Sequence, residues 1–370
     1  METLQRTANR GSISTGYNID NSLVLEDAND ESMIRNYSGD GDRRTWTYST
    51  WVKKLKFGSA EYDYMYLISA AYTSILFLNN DLLRVALYNG SSTVYADPSQ
   101  VFRDGSAWYH IIVTLDSTQG TASDRVKIWI NGVRVTSFSN STYANMSQNE
   151  EFGLGEAASN YQFGYFFAGG ANNRGFSGYV AETHYVNGTA LDETSFGEYD
   201  EDSGIWKPKE YTGSHGTKGF YFKFDDASNL GKDSATSGVG DFSENNITAI
   251  DQSTDTPTNN FCTWNPLWEY LYQPIFKEGA TVAAYDNSTD ENAKATIGLT
   301  KGKWYWEAKP SGTIGSQFIG IQTANTAYTI GSQGLTQNYT MVIEPQGRYY
   351  SYSGSLSESS AGQFTALTTS

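Results

Sequence analysis

The chain of 370 residues has few features that would link it covalently or carry it into a bilayer. Its single cysteine, Cys262, excludes an intrachain disulfide, so stability must come from packing or from assembly with other chains. No stretch is apolar for long enough to span a membrane, and the start, Met1 to Arg6, lacks the apolar segment of a signal peptide. We therefore expect neither export through such a peptide nor membrane insertion.

Basic residues are also scarce. The chain has 25 Lys and Arg against 41 Asp and Glu, a formal net charge of −16. A polyanion would be repelled by the average field of such a protein, so we expect no nucleic-acid partner. The acidic excess favours solubility and would allow divalent-cation sites.

Residues typical of metal and nucleophilic catalysis are few. The three histidines, His110, His184 and His215, have no spacing typical of zinc ligands, and no Gly-x-Ser-x-Gly motif occurs. Because His110 falls in a predicted strand beside Trp108, we interpret it as a structural imidazole. Cys262 is predicted to be a small buried hydrophobe.

Apolar residues at helical spacing are lacking too, whereas aromatic residues make up 15% of the chain. The clearest pattern runs from Trp108 to Val135, where apolar and polar residues alternate over three short segments. Asn131-Gly132 lies between two of them and predicts a type I′ hairpin turn. We predict an all-β fold of packed sheets, almost without helix.

The composition changes along the chain and suggests four regions. Residues 1–16 are polar and predict an N-terminal arm that docks onto a neighbour, whereas residues 17–195 carry closely spaced strands. Residues 196–270 are acidic and then rich in Gly, Ser and Thr, which indicates a linker and an irregular β region. Residues 271–370 predict a second, incomplete β-sandwich.

Several motifs within residues 17–195 resemble the concanavalin A-like, laminin-G-type jelly roll. They are Leu23-Val-Leu-Glu-Asp, Trp46-Thr-Tyr-Ser-Thr-Trp-Val, Trp108-Tyr-His-Ile-Ile-Val, Val126-Lys-Ile-Trp-Ile-Asn-Gly and Gly178-Tyr-Val-Ala-Glu-Thr-His-Tyr. This resemblance implies a two-sheet sandwich whose function resides in its loops.

Two further stretches resemble known families. Phe196-Gly-Glu-Tyr-Asp-Glu-Asp-Ser-Gly-Ile-Trp-Lys-Pro, with Gly219-Phe-Tyr-Phe-Lys-Phe-Asp-Asp, is similar to a block found in virion structural proteins of tailed bacteriophages. Gly302-Lys-Trp-Tyr-Trp-Glu is similar to the start of a SPRY-type sandwich and predicts a strand. Because the second half of that domain is missing, we expect a longer native protein or closure by a partner.

Aromatic side chains that alternate along strands are the candidate contacts for carbohydrate or for a protein partner. Rings on one face of a sheet can stack on sugars or pack against a neighbouring subunit, although they can also fill the core. The candidates are Tyr62, Tyr64, Tyr66, Tyr161, Phe163 and Tyr165.

Carboxylates suggest two further chemistries. Asp225 and Asp226 could supply oxygen ligands to Ca²⁺, or they could simply cap a turn. Glycosidases on this type of jelly roll place two acids on one rigid strand, and the nearest equivalents here are Glu198 and Asp200. Since those two lie in the acidic stretch before Pro208, we expect a solvated surface and no catalysis.

The sequence thus favours a non-enzymatic virion protein, most simply a tail fibre or appendage that serves assembly and adhesion to host-surface glycans. Its partners would be other virion proteins and copies of itself, as a trimer. The alternatives are a capsid or tail decoration protein without receptor binding, a polysaccharide hydrolase or lyase on the same fold, and a eukaryotic laminin-G adhesion module.

Overall fold

The computed structural model describes eleven stretches of the chain, namely residues 16–58, 64–157, 159–166, 174–267, 274–284, 293–298, 304–309, 319–321, 340–343, 349–352 and 356–358. The chain divides into two compact units, Met1–Ile297 and Gly298–Ser370. The predicted N-terminal arm, apart from Gly16, lies outside the described residues.

The first unit is built from short antiparallel strands. They are β1 (Ser22–Leu25), β2 (Ser32–Asn36), β3 (Thr45–Lys54), β4 (Tyr64–Ala70), β5 (Thr73–Leu78), β6 (Leu83–Tyr88), β7 (Thr93–Pro98), β8 (Tyr109–Asp116), β9 (Val126–Ile130), β10 (Val133–Arg134), β11 (Phe138–Ser141), β12 (Asn160–Phe163), β13 (Gly178–Asn187), β14 (Gly197–Tyr199), β15 (Trp206–Pro208), β16 (Phe220–Phe222), β17 (Ser243–Asn245), β18 (Gln252–Ser253), β19 (Ile275–Lys277) and β20 (Val282–Ala284).

Helical structure in the described residues is limited to short 3-10 turns. They are Asp27–Asn29, Ala122–Asp124, Tyr143–Asn145, Glu193–Ser195 and Ala249–Asp251. A membrane-crossing helix is not found in this described part of the chain. The predicted all-β class is confirmed.

The strands of the first unit form two eight-stranded sheets that pack face to face. The first sheet has the order β10-β9-β8-β3-β13-β1-β18, and β16 also pairs with β13. The second sheet has the order β11-β7-β6-β5-β4-β12-β2-β17. Two separate hairpins, β14-β15 and β19-β20, complete the unit. The result is a jelly-roll sandwich.

The main core lies between these two sheets and follows from strand alternation. Ile111, Val113 and Leu115 of β8 are buried in it, whereas the intervening residues point to the other side of the sheet. At the predicted hairpin, Asn131 and Gly132 have φ angles of 50° and 77°, which confirms the type I′ turn between β9 and β10.

The outer face of the first sheet is covered by the chain that follows the jelly roll, in the region 196–270 for which the sequence predicts a linker and an irregular β region. Strands β16, β17 and β18 of that region pair with β13, β2 and β1. The hairpin β14-β15 places Trp206 against Trp51, Trp108 and Tyr179. We call residues 196–262 the cover. Its acidic start and its Gly-, Ser- and Thr-rich stretches indicated a linker, although Phe220, Phe222 and Phe242 of the cover lie in the main core.

Trp206 has little free space around its indole. A Cβ added at Gly132 would lie 2.3 Å from the ring, and one added at Gly197 would lie 2.2 Å from it. The indole Nε1 donates a hydrogen bond of 2.9 Å to Nδ1 of the buried His110. The cover is therefore held on the β9-β10 turn by close packing around Trp206 and by one buried hydrogen bond.

The boundary before the C-terminal region needs correction. The predicted sandwich over 271–370 includes β19 and β20, but those strands lie in the first unit, which ends at Ile297. In the second unit, the described strands β21 (Ile319–Ile321), β22 (Thr340–Ile343), β23 (Tyr349–Tyr352) and β24 (Leu356–Glu358) form one antiparallel sheet in chain order.

The strand predicted at Gly302-Lys-Trp-Tyr-Trp-Glu is wrong for the part that the structure describes. Residues 304–309 have no strand pairing there. The side chains of Trp304, Tyr305 and Trp306 are exposed, so the alternation of these rings does not mark a buried sheet face.

Removing the Trp206 side chain should destabilise the first unit strongly. We expect Trp206→Ala to lower the free energy of unfolding by about 3–5 kcal/mol, because it leaves a cavity above the sheet and removes a donor from buried His110. Chemical denaturation followed by circular dichroism measures the change. The exposed Trp306→Ala should alter stability little, and equal effects of the two substitutions would contradict this role of the cover.

Candidate functional site

Aromatic side chains crowd the outer side of the second sheet, opposite the core. Met65 and Leu67 of β4 point into the core, so Tyr64 and Tyr66 point outward. The same alternation turns Tyr88 of β6 outward. We call this surface the aromatic face, and it consists of Tyr64, Tyr66, Tyr72, Tyr88, Tyr95 and Phe166.

The rings of the aromatic face contact one another in a chain. Phe166 stacks on Tyr66 with ring centroids 4.9 Å apart, and Tyr72 meets Phe166 at 5.9 Å and Tyr88 at 5.5 Å. Leu76 lies beside Tyr66 on the same outer surface and is buried by it. Because Tyr72 remains 64% exposed, this surface offers an apolar ring directly to solvent.

Two arginines add fixed charge to the aromatic face. The Arg84 guanidinium donates Nε to both carboxylate oxygens of buried Asp97 at 3.1 Å and Nη2 to Oδ2 at 2.7 Å. These hydrogen bonds raise the pKa of Arg84, and the same group lies 4.5 Å over the ring of Tyr95. Arg174 lies 5.5 Å over Phe166. The face thus combines flat apolar rings with anchored hydrogen-bond donors.

The six contact residues predicted from the sequence separate in the structure. Tyr64 and Tyr66 lie on the aromatic face, whereas Tyr62 falls outside the described residues. Tyr161 and Phe163 are fully buried in the main core, since β12 turns its odd-numbered residues inward. Tyr165 is also buried.

The predicted contact role is therefore wrong for Tyr161 and Phe163, which have no exposed surface. Tyr165 and Tyr66 are buried too, and Tyr66 is covered by Phe166 on the aromatic face. Four members of the aromatic face were missed: Tyr72, Tyr88, Tyr95 and Phe166. Strand alternation could have found Tyr88 and Tyr95, but no sequence pattern marked Tyr72, which lies in the β4–β5 turn with a φ of 65°.

The two predicted calcium ligands do not converge. Asp225 is exposed, and Asp226 accepts hydrogen bonds of 3.1 Å and 2.6 Å from the backbone N–H and the hydroxyl of Ser228. Asp226 therefore caps a turn. No group of three or more His, Cys, Asp or Glu side chains suited to a metal occurs among the residues described.

Glu198 and Asp200 lie at the surface on the β14-β15 hairpin. Both carboxylates contact Lys207, at 3.3 Å and 3.5 Å, and Asp200 also accepts hydrogen bonds from Ser203. The two acids thus pair with one cation on a covering hairpin instead of facing each other across a cleft.

His110 is a structural imidazole, as predicted. It is buried, stacks on Trp51 with centroids 4.5 Å apart, and accepts at Nδ1 from Trp206, so its Nε2–H donates to Ser49 Oγ at 2.8 Å. Burial lowers the pKa of His110 to about 3, which keeps the ring neutral. By contrast, Cys262 is exposed, so the prediction of a buried hydrophobe is wrong.

A second cluster of buried polar side chains is centred on Glu182 under the cover. Glu182 Oε1 accepts hydrogen bonds from the hydroxyls of Tyr17 and Tyr221 at 2.8 Å and 2.7 Å and contacts His184 Nε2 at 3.3 Å. Burial raises the pKa of Glu182, but these partners outweigh burial and lower it. His184 also contacts His215 at 3.0 Å. The network is enclosed and attaches the cover to β13.

An open cleft of about 630 Å³ lies beside β1 and the cover, and four carboxylates line it. They are Glu26, Glu31, Asp251 and Glu278. Glu31 is buried at its floor, where its carboxylate accepts from the Glu26 backbone N–H at 2.7 Å and from Asn29 at 2.9 Å. Burial outweighs both hydrogen bonds and raises the pKa of Glu31 to about 7.

The raised pKa of Glu31 predicts a loss of stability as pH rises. Below 4.5, its ordinary value, Glu31 is protonated in both states, and between 4.5 and about 7 only the unfolded chain ionises freely. Ionisation therefore costs the folded state up to roughly 3 kcal/mol above pH 7. We expect Glu31→Gln to reduce the fall in unfolding free energy between pH 5 and pH 8. Glu201→Gln, at the surface, should leave that fall unchanged, and an unaltered fall in Glu31→Gln would contradict the assignment.

One of the comparisons with known proteins, a sequence-family match, supports the fold. Residues 27–194 match the sequence family described as the concanavalin A-like lectin/glucanases superfamily (Laminin_G_3). No curated protein matches the chain.

Solved structures similar to the chain have low sequence identity. A heptameric SAP-like pentraxin from Limulus polyphemus is 15% identical, with a TM-score of 0.34 and 48% of this chain and 80% of that chain covered. A protein from Bacteroides ovatus described as a putative carbohydrate binding protein is 16% identical, with a TM-score of 0.42. The match covers 64% of this chain and 60% of that chain, so this chain spans three fifths of it.

Domain 4 of AbnA, a GH43 extracellular arabinanase from Geobacillus stearothermophilus solved with arabinotriose, is 19% identical, with a TM-score of 0.32 and 47% and 73% covered. The family match and the two antiparallel sheets together establish the architecture: the first unit contains a concanavalin A-like, laminin-G-type jelly roll.

Proposed function

We propose that this protein is a non-enzymatic virion structural protein of a tailed bacteriophage, a tail fibre or appendage that adheres to host-surface glycans through its aromatic face. The observation that carries the proposal is the exposure of this face. The outer side of the first sheet is buried by the cover, whereas the outer side of the second sheet presents Tyr72, Tyr88 and Phe166 around a shared ring cluster.

Saccharide recognition suits this combination of groups. One face of a pyranose ring presents C–H bonds and packs on an aromatic ring, while the hydroxyl groups around its edge need hydrogen-bond partners. Tyr72 supplies the exposed ring. Arg84 is held by Asp97, so part of the entropic cost of fixing a donor is already met. The net charge of −16 favours a neutral glycan over a polyanionic one.

Adhesion would depend on several copies acting together. A shallow aromatic surface binds one sugar weakly, and linked copies convert later binding events into intramolecular ones. We therefore infer a homo-oligomer, a trimer in a fibre, that contacts other virion proteins. The virion location is supported by the resemblance of Phe196 to Pro208 to phage structural proteins.

The location has a direct test. Antibodies against the chain, imaged on purified particles by electron microscopy, should label the tail or its appendages. Labelling of the head shell would favour a decoration protein, and unlabelled particles would overturn the virion role.

Loss of the exposed ring should weaken glycan binding. Binding of the full chain to an array of purified bacterial surface polysaccharides identifies a bound polymer, and Tyr72→Ala should raise its dissociation constant about tenfold, since one lost ring contact is worth roughly 1.4 kcal/mol. Tyr199→Ala is the matched control, because Tyr199 is 50% exposed on the cover, away from this face.

The same samples distinguish glycan adhesion from the two alternative functions, a decoration protein and a hydrolase. Equal binding by the Tyr72→Ala and Tyr199→Ala proteins would place the contact elsewhere, and binding to no polysaccharide would favour a decoration role. Incubation with the bound polymer should release no new reducing ends. Release that is abolished by Glu198→Gln or Asp200→Asn would establish a hydrolase instead.

A further inference from the structure

A buried lysine on β3 lies against an asparagine and an aspartate of the cover. Lys53 points to the outer side of the first sheet, and its side chain is fully buried. Its Nζ lies 3.0 Å from Oδ1 of Asn260 and 2.8 Å from Oδ2 of Asp255, and 3.1 Å from the backbone oxygen of Phe261. Asp255 and Asn260 are buried as well.

The surroundings orient each of these groups. Asn260 Nδ2 donates to the Ser106 backbone oxygen at 2.8 Å, so the amide turns its carbonyl toward Lys53. Trp108 Nε1 donates to the second oxygen of Asp255 at 2.9 Å, and the Tyr179 ring lies 5.4 Å from the amine. An amine, a carboxamide and a carboxyl group are thereby held together in an enclosed aromatic site.

We propose that Lys53 and Asn260 join in an intramolecular isopeptide bond, with Asp255 carrying the protons. The three groups are those that the reaction needs: a nucleophile, an acyl group and a general acid–base. Their fixed placement makes the reaction effectively unimolecular.

The reaction balances without any added reagent. Asp255 takes one proton from the ammonium of Lys53, and the freed electron pair on Nζ attacks Cγ of Asn260 while Asp255 returns that proton to Oδ1. In the tetrahedral intermediate Asp255 moves a proton from Nζ to Nδ2, and the Cγ–Nδ2 bond then breaks as the carbonyl re-forms and Oδ1 gives its proton to Asp255. The products are a secondary amide, ammonia and a protonated Asp255.

The buried site suits the proton transfers that Asp255 makes. Burial raises the pKa of Asp255, although Lys53 and Trp108 oppose that effect. Water is excluded from the acyl carbon, so hydrolysis competes poorly.

The neighbouring lysine, Lys54, is buried in the same way but lacks an amide partner for this reaction among the described residues. Lys54 is also fully buried and pairs with Asp81 on the opposite side of the sheet. There Arg103 Nε donates to Asp81 at 2.6 Å, and the pKa of Asp81 is lowered because the hydrogen bonds from Lys54 and Arg103 outweigh its burial. An ionised carboxylate is a poor acyl donor, so Lys54 forms an ion pair and serves as the matched control.

The bond would tie the cover to the jelly roll. Residues 53 and 260 are 207 positions apart, and the link would close most of the first unit into one covalent loop. In a chain with one cysteine, such a link would supply the constraint on the unfolded state that disulfides give other proteins.

Intact-mass measurement of the denatured full chain tests the proposal. We expect a mass below that of the sequence by one ammonia, about 17 Da, together with a branched proteolytic peptide that contains Lys53 and Asn260. A chain at its full sequence mass, without the branched peptide, would overturn it.

Single substitutions assign the roles. Lys53→Arg and Asp255→Asn should both restore the full mass for their own sequences, whereas Lys54→Arg should keep the deficit. A deficit that survives in Lys53→Arg would refute the assignment. Because the mass and the branched peptide of the unsubstituted chain already decide whether the bond exists, a variant that fails to fold leaves the test intact.

Discussion

Burial of both faces of the first sheet is the constraint on which the rest of the first unit depends. An antiparallel sheet commonly leaves one face to water, but here β3 and β13 carry aromatic rings on both sides. Trp51, Trp108 and Tyr179 on the outer side need a partner surface, and the cover supplies it through Trp206. The chain that follows the closing strand is therefore part of the fold, and only the second sheet has an outer face without the cover.

The strands from β8 to β10 could be predicted from the sequence, because in each of them the residues that face the core are all odd-numbered or all even-numbered from end to end. The closing strand β13 lacks this regularity. Val180 and Tyr185 both face the core although their numbers differ in parity, because a bulge at Glu182, with a φ of 48°, shifts the register between them. No local pattern marks this bulge, which lies where β1 and β16 meet along the same edge of β13.

The candidate site could be predicted only in part, because the sequence shows alternating rings but not which of them face solvent. Tyr64 and Tyr66 alternate along β4 just as Tyr161 and Phe163 alternate along β12, so composition and periodicity treat the two pairs alike. Which parity faces water is decided by the partner sheet, a long-range property that one strand does not encode. The prediction therefore found the correct residue type and failed to separate surface rings from core rings.

The buried polar contacts under the cover explain why its position is specific. Apolar packing alone would let a covering segment slide, whereas the hydrogen bonds that Trp206 donates to His110 and that Lys53 donates to Asp255 are each satisfied in one register only. The sequence did not indicate these pairings because the partners are more than 90 positions apart. A fixed cover closes one side of the sandwich to ligands, so recognition by the jelly roll falls to the aromatic face and the loops around it.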